Sequence, residues 1–222
     1  MISFVYFDVG GVAIKDFSGS DKWTELKKEV GVTPENDAEF EDFWLSYESE
    51  RCLGPNVDTL LPLIKKRFGS KFSDNYSLLI DGFVNRFEVN KSIWPVIKKI
   101  HQKCKVGLLT NMYPGMYEAI LDRGLLPDID WDAVIDSSVV KLQKPDKKIY
   151  ELAERLANFN GHEILFVENS RTHIKKAEEF GWQCILFDSK NYEESSVRLE
   201  EELREIPAGG PGTYKKQALR RG

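Results

Sequence analysis

The sequence predicts an α/β protein: a parallel sheet flanked by helices, with a helical segment inserted after the first strand. Two observations lead to this prediction. Short apolar runs of strand length recur along the chain, and most are followed by a longer amphipathic stretch. This rhythm breaks once, over residues 18–90, where aromatic and aliphatic side chains recur at helical spacing. Continuous apolar strands that alternate with helices are typical of a parallel sheet covered on both faces.

Five apolar runs are the candidate strands, and they cover residues 2–7, 105–110, 132–137, 163–168 and 184–188. The amphipathic stretches between them predict helices within residues 91–104, 115–124, 146–159 and 172–181. The last of these stretches ends in Gly181, as expected of a glycine that closes a helix before the next strand.

Turn signals divide the segment of residues 18–90, called the insertion below, into about four helices; they lie at residues 31–37, 53–56 and 68–75. We therefore expect an α/β core of residues 1–17 and 91–206, with the insertion as a helical-bundle cap. A cap that covers the substrate and an ordinary structural subdomain fit this periodicity equally well. Residues 207–222 are rich in glycine, proline and basic residues, and we expect them to be a disordered tail.

Composition excludes several classes of function. The net charge of −5 gives no general attraction to nucleic acid or to an anionic membrane. No apolar run approaches the roughly 20 residues that a membrane-spanning helix needs. Because the sequence opens on a strand-like run, we expect no signal segment. Three widely spaced cysteines without a metal-ligand pattern favour a reduced, cytoplasmic protein. The oligomeric state is left open.

Polar residues follow four of the candidate strands, at the carboxyl edge where an open parallel sheet binds its ligands. This set comprises Asp8, Gly10 and Gly11 after the first strand, Thr110 and Asn111 after the second, Lys141 and Lys144 after the third, and Glu168, Asn169 and Ser170 after the fourth. Carboxylates suit a divalent cation, while a hydroxyl group and a lysine suit phosphate oxygens. The sequence therefore predicts a site for a metal ion and a phosphoryl group, with Lys141 expected in solvent.

Four motifs in order, "FDVGGV", "LLTN", "KPDKKIY" and "FVENS", resemble those of the haloacid dehalogenase-like (HAD) superfamily over about residues 1–190. The resemblance implies a Rossmann-like core, with the insertion where subfamily I members carry a C1-type cap. It also implies a hydrolase, acting as a phosphatase on a small phosphorylated metabolite through an aspartyl-phosphate.

The resemblance further implies residue roles. Asp8 is the expected nucleophile, Thr110 and Asn111 hold phosphate oxygens, and Lys144 neutralises the nucleophile and the developing charge. Mg²⁺ is the expected cofactor, and its ligands are expected to be Asp8, the carbonyl of Gly10, Glu168 and Asn169.

The sequence departs from the family pattern at three positions. Gly10 stands where family phosphatases usually carry a second aspartate as general acid and base, a function typically worth 10²–10⁴-fold in rate. Asn169 stands where close relatives often have a charged metal ligand, and His173 where they often carry asparagine or aspartate. We therefore expect weakened metal binding and a preference for substrates with good leaving groups.

Two other functions remain open. A 2-haloacid dehalogenase also uses an aspartate nucleophile without the second aspartate, but that subgroup tends to have an aromatic residue at the Gly10 position and a motif similar to "SSN" in place of "FVENS". A binding or regulatory protein that keeps the fold without turnover is the other alternative, favoured by Gly10 and Asn169.

Overall fold

The computed structural model describes residues 1–203, apart from the side chains of residues 48–51, so the predicted tail lies outside the described residues. A five-stranded sheet forms the centre, in the order β5-β4-β1-β6-β7 with every pairing parallel. Its strands are β1 (Phe4–Phe7), β4 (Lys105–Thr110), β5 (Ala133–Asp136), β6 (Ile164–Glu168) and β7 (Gln183–Leu186). The predicted α/β fold with a parallel sheet is confirmed.

The first strand lies in the middle of the sheet. Phe7 of β1 is in register with Leu108 of β4 on one side and with Val167 of β6 on the other. Because all the strands run in the same direction, the residues that follow them meet at one edge. We call this carboxyl edge of the sheet the rim.

Side chains of β1 alternate between two hydrophobic clusters on opposite faces of the sheet. Val5 and Phe7 belong to the cluster that also contains the apolar side chains of the insertion. Phe4 and Tyr6 belong to the other cluster, where the Tyr6 hydroxyl donates a hydrogen bond to the Ala153 carbonyl at 2.9 Å. Burial on both faces explains why this strand reads as a continuous apolar run.

Within the described part of the chain, six α-helices follow the insertion: α4 (Trp94–His101), α5 (Met116–Asp122), α6 (Ser137–Val140), α7 (Lys147–Ala157), α8 (Arg171–Glu179) and α9 (Tyr192–Glu202). The helix α7 begins at Asp146, whose carboxylate accepts a hydrogen bond from the backbone N–H of Lys148. It ends at Asn158, which adopts the left-handed conformation with φ of 59°. Among the described residues, none of the helices combines the length and apolar character that crossing a membrane requires.

The insertion contains α1 (Lys22–Glu29), α2 (Asp37–Arg51) and α3 (Leu61–Phe68), followed by a π-helix at Leu78–Phe83. Its division from the core as a cap domain stays a prediction. The chain enters and leaves it through two short antiparallel strands, β2 (Ile14–Lys15) and β3 (Glu88–Val89), which we call the ribbon. Two hydrogen bonds join the insertion to loops at the rim: Asn56 to the Pro114 carbonyl, and Lys141 to the Leu53 carbonyl, each at 3.2 Å.

Candidate active site

Asp8 lies directly after β1, at the centre of the rim, and is 8% exposed. Its Oδ1 accepts a hydrogen bond from the backbone N–H of Val9 at 2.8 Å and lies 3.0 Å from Nζ of Lys144. Burial raises the pKa of Asp8, the charge of Glu168 raises it further, and Lys144 opposes both, so that the pKa is about 7. Among the described residues Oδ2 has no hydrogen-bond donor, which leaves one carboxylate oxygen available to attack or to bind a ligand.

Lys144 is almost fully buried between two carboxylates. Its Nζ lies 2.6 Å from Oε2 of Glu168 and 3.0 Å from Oδ1 of Asp8, and donates to the Leu109 carbonyl at 2.9 Å. Burial alone would lower the pKa of Lys144, but Asp8 and Glu168 together raise it. The lysine is therefore a fixed positive charge beside the candidate nucleophile.

Glu168 is fully buried, and both of its oxygens are bound by donors from this chain. Oε1 accepts hydrogen bonds from the backbone N–H groups of Asn169 and Ser170, each at 2.9 Å. Oε2 binds Lys144 and lies 3.1 Å from Nδ1 of His173. Burial alone would raise the pKa of Glu168, but Lys144 and then His173 lower it to about 2, so this group stays ionised.

Thr110 and Asn111 lie at the end of β4. Thr110 is 1% exposed, and within the described part of the chain its hydroxyl group has no hydrogen-bond partner. The side chain of Asn111 binds the backbone of Lys144 instead, with Nδ2 donating to the carbonyl at 2.9 Å and Oδ1 accepting from the N–H at 2.8 Å. The structure thus brings Asp8, Thr110, Asn111 and Lys144 to one rim.

The predicted magnesium ligands differ in the groups that they contact. Across the described residues, no three acidic, histidine or cysteine side chains form a metal-binding group. The Asn169 amide donates to the Gly10 carbonyl at 3.3 Å and to the Ser189 hydroxyl at 3.0 Å. Mg²⁺ prefers oxygen ligands. The Asp8 carboxylate and the Gly10 carbonyl meet this preference, and Asn169 meets it once its side-chain amide turns its oxygen toward Gly10. Glu168 ligation stays a prediction, and its contacts favour holding Lys144.

Two site features do not follow from the sequence motifs. Asp16, just beyond β2, places Oδ2 only 2.5 Å from where a Cβ atom on Gly10 would lie. Ser189 donates to the Gly11 carbonyl at 2.7 Å and accepts from Asn169. An acid at the entrance to the insertion is a signal that was present in the sequence, but its closeness to Gly10 depends on how the ribbon folds back.

Comparison with known proteins agrees with this architecture. A family model for haloacid dehalogenase-like hydrolases matches residues 6–181. The fold, the rim and this match define the class: the chain belongs to the haloacid dehalogenase-like hydrolase family. Subfamily membership and the type of cap stay predictions.

Among curated proteins, the chain is 28% identical over 116 residues to the (S)-2-haloacid dehalogenase of Pseudomonas sp. (strain YL). This match covers 47% of the chain and 50% of the dehalogenase, so the chain spans half the length of that relative.

Two solved structures show the same fold at low sequence identity. A HAD family enzyme of Bacteroides thetaiotaomicron, in complex with magnesium and inorganic phosphate, has a TM-score of 0.67 at 18% identity, covering 85% of this chain and 96% of that one. The L-2-haloacid dehalogenase of Xanthobacter autotrophicus has a TM-score of 0.58 at 20% identity, covering 84% of this chain and 78% of that one.

Proposed function

We propose that this protein is a magnesium-dependent phosphatase of small phosphorylated metabolites that acts through an aspartyl-phosphate. The observation that carries the proposal is the contact of Asp8 with buried Lys144, which leaves one carboxylate oxygen open at the rim. A phosphate group brings negative charge to this place, and a fixed ammonium group offsets the repulsion between it and the nucleophile.

Each rim residue has a proposed task in this reaction. Asp8 Oδ2 attacks phosphorus and forms the covalent intermediate. Lys144 holds Oδ1, so the open oxygen is the one presented to the substrate. The Thr110 hydroxyl and the backbone N–H of Asn111 donate to phosphate oxygens. Positioning and charge stabilisation of this kind supply most of the acceleration in phosphoryl transfer.

Magnesium is the proposed cofactor, held by Asp8, the Gly10 carbonyl and the oxygen of Asn169. When bound, it would supply positive charge to the phosphate oxygens. The similar Bacteroides structure is a complex with magnesium and inorganic phosphate, which supports magnesium as the cofactor. The buried Glu168 keeps Lys144 in place, because its Oε2 lies 2.6 Å from Nζ.

The test is hydrolysis of acetyl phosphate and p-nitrophenyl phosphate with magnesium present. We expect turnover by the wild-type protein and its loss in Asp8→Asn, which keeps the size of the side chain and removes the nucleophile. Asp122→Asn is the matched control, because Asp122 is exposed at the end of α5. Absence of turnover on a broad panel of phosphate esters would contradict the proposal and favour a binding protein.

A 2-haloacid dehalogenase is the second candidate, and the 28% identity to the Pseudomonas dehalogenase is the observation that favours it. Gly10 and the "FVENS" motif count against it, because that subgroup tends to have an aromatic residue and an "SSN"-like motif there. Chloride release from 2-chloropropionate without metal, lost in Asp8→Asn, would establish the dehalogenase and displace the phosphatase.

A further inference from the structure

We infer that Asp16 is the general acid and base of this active site, taking the place of the carboxylate that Gly10 lacks. The inference rests on the proposed phosphatase function and adds a catalytic residue to it. Its basis is a single juxtaposition: Oδ2 of Asp16 lies 2.5 Å, and its Cγ 3.3 Å, from the ideal Cβ position of Gly10.

That distance has a direct chemical meaning. In an aspartate, ordinary bond lengths place the carboxyl oxygens about 2.4 Å from the Cβ atom. An oxygen of Asp16 therefore lies as far from this Cβ position as the carboxyl oxygens of an aspartate at position 10 would lie. The carboxyl group arrives from the ribbon, six residues further along the chain, instead of from the residue that follows Val9.

The backbone conformation at position 10 does not require a glycine there. Its neighbour Gly11 has φ of 73°, in the left-handed region that disfavours side chains, whereas Gly10 lies outside that region. The atoms nearest to a new side chain at Gly10 all belong to Asp16. Gly10 and Asp16 are therefore complementary: the missing side chain makes the room that the carboxyl group fills.

The position also suits the direction of the reaction. Asp8 attacks from the end of β1, and in-line displacement places the leaving group on the far side of phosphorus, away from the sheet. The proposed role places Asp16, which follows β2 at the entrance to the insertion, on that far side. Its Oδ1 is fixed by the backbone N–H of Ser18 at 2.8 Å, so Oδ2 is the oxygen beside Gly10.

The reaction balances as follows. Asp8 Oδ2 forms a bond to phosphorus while the bond to the leaving oxygen breaks, and protonated Asp16 gives that oxygen its proton, releasing an alcohol. Asp16, now a carboxylate, takes a proton from water as the water oxygen attacks phosphorus. The bond between phosphorus and Asp8 then breaks, which releases inorganic phosphate and restores both side chains.

Asp16→Asn separates this role from a structural one, because asparagine still offers an oxygen to the Ser18 N–H but cannot transfer a proton. We expect kcat/KM for an alkyl phosphate to fall about 10²–10⁴-fold. Hydrolysis of p-nitrophenyl phosphate should change far less, because its leaving group needs little protonation. Asp21→Asn, an exposed aspartate five residues along the chain, is the matched control.

A carboxylate exchange completes the test. Gly10→Asp alone should not raise activity, since the new side chain meets Asp16. Combined with Asp16→Ala it should recover alkyl phosphate hydrolysis tenfold or more over Asp16→Ala alone. Circular dichroism and thermal unfolding verify that each variant is folded.

Two results would overturn the inference while leaving the phosphatase intact: Asp16→Asn behaving like Asp21→Asn, or losing equal activity on alkyl and aryl substrates. If the wild-type protein shows no Asp8-dependent phosphate release, the proposed function fails and this inference fails with it.

Discussion

The side-chain amide of Asn111 binds both backbone polar groups of Lys144, donating to the carbonyl at 2.9 Å and accepting from the N–H at 2.8 Å. These two residues are 33 positions apart in the chain, and the contact ties the loop after α6 to the end of β4. Lys144 in turn contacts Asp8 and Glu168 through Nζ. The position of the buried ammonium group therefore depends on an amide that never touches it.

Asn111→Asp should weaken this connection, because the carboxylate keeps the acceptor for the Lys144 N–H but loses the donor to its carbonyl. We expect the free energy of unfolding to fall by about 1–3 kcal/mol, the usual consequence of an unsatisfied partly buried group. Phosphatase kcat should fall more than KM changes, because Lys144 is displaced relative to Asp8. Urea unfolding and steady-state kinetics measure the two effects.

Asn75→Asp is the control for that prediction, since Asn75 is exposed in the turn before the π-helix. If Asn111→Asp matched this control in both stability and kcat, the amide would have no part in placing Lys144.

Asp8→Asn should stabilise the metal-free protein, and more so at pH 8 than at pH 5. The folded pKa of Asp8, about 7, lies above its usual value of 3.8. Between these values the folded state binds more protons than the unfolded state, so the free energy of unfolding falls as pH rises. Asparagine does not ionise, so the Asp8→Asn variant does not lose this part of its free energy of unfolding as pH rises. We expect the difference in the free energy of unfolding between variant and wild type to grow by on the order of 2 kcal/mol from pH 5 to pH 8.

Chemical denaturation at both pH values, with a chelator present, measures that growth, and Asp122→Asn should show none. A stability difference that stays constant with pH would mean that the pKa of Asp8 is not raised in the folded protein.

Asn169→Asp should tighten Mg²⁺ binding. An amide oxygen can ligate a hard cation without neutralising it, whereas a carboxylate does both. The substitution also removes the N–H group that now donates to the Gly10 carbonyl, which frees that oxygen for the cation. We expect about a tenfold lower Kd or better, equivalent to 1.4 kcal/mol.

Isothermal calorimetry with magnesium alone provides the measurement, independent of any catalytic activity. Asn158→Asp, which is exposed at the end of α7, serves as control. Unchanged or weaker binding in Asn169→Asp would exclude Asn169 from the metal site.

Much of the fold could be read from the sequence, because buried parallel strands leave continuous apolar runs. The prediction for residues 105–110 matches β4 at both ends, and the other four strands agree within two residues. The ribbon was not predicted, since two-residue strands such as Ile14–Lys15 are too short to show a period of two.

The rim was predictable for a related reason: residues that end parallel strands share one edge, which places Asp8, Thr110 and Glu168 together before any distance is known. Side-chain partners were not predictable. Asp16 reaches Gly10, and Ser189 reaches Asn169, only because separate loops fold over the same edge. Such contacts depend on tertiary geometry that no local spacing encodes.

The ribbon has a consequence for how this family member can change over evolutionary time. Ile14 pairs with Val89, so the points where the chain leaves and rejoins the sheet are adjacent and held by backbone hydrogen bonds. The residues between Ile14 and Val89 are thus joined to the rest of the chain at two adjacent points. A segment attached in this way can be lengthened, shortened or replaced at little entropic cost to the rest of the chain. The length of the insertion can thus change while β1, and with it the position of Asp8, stays the same.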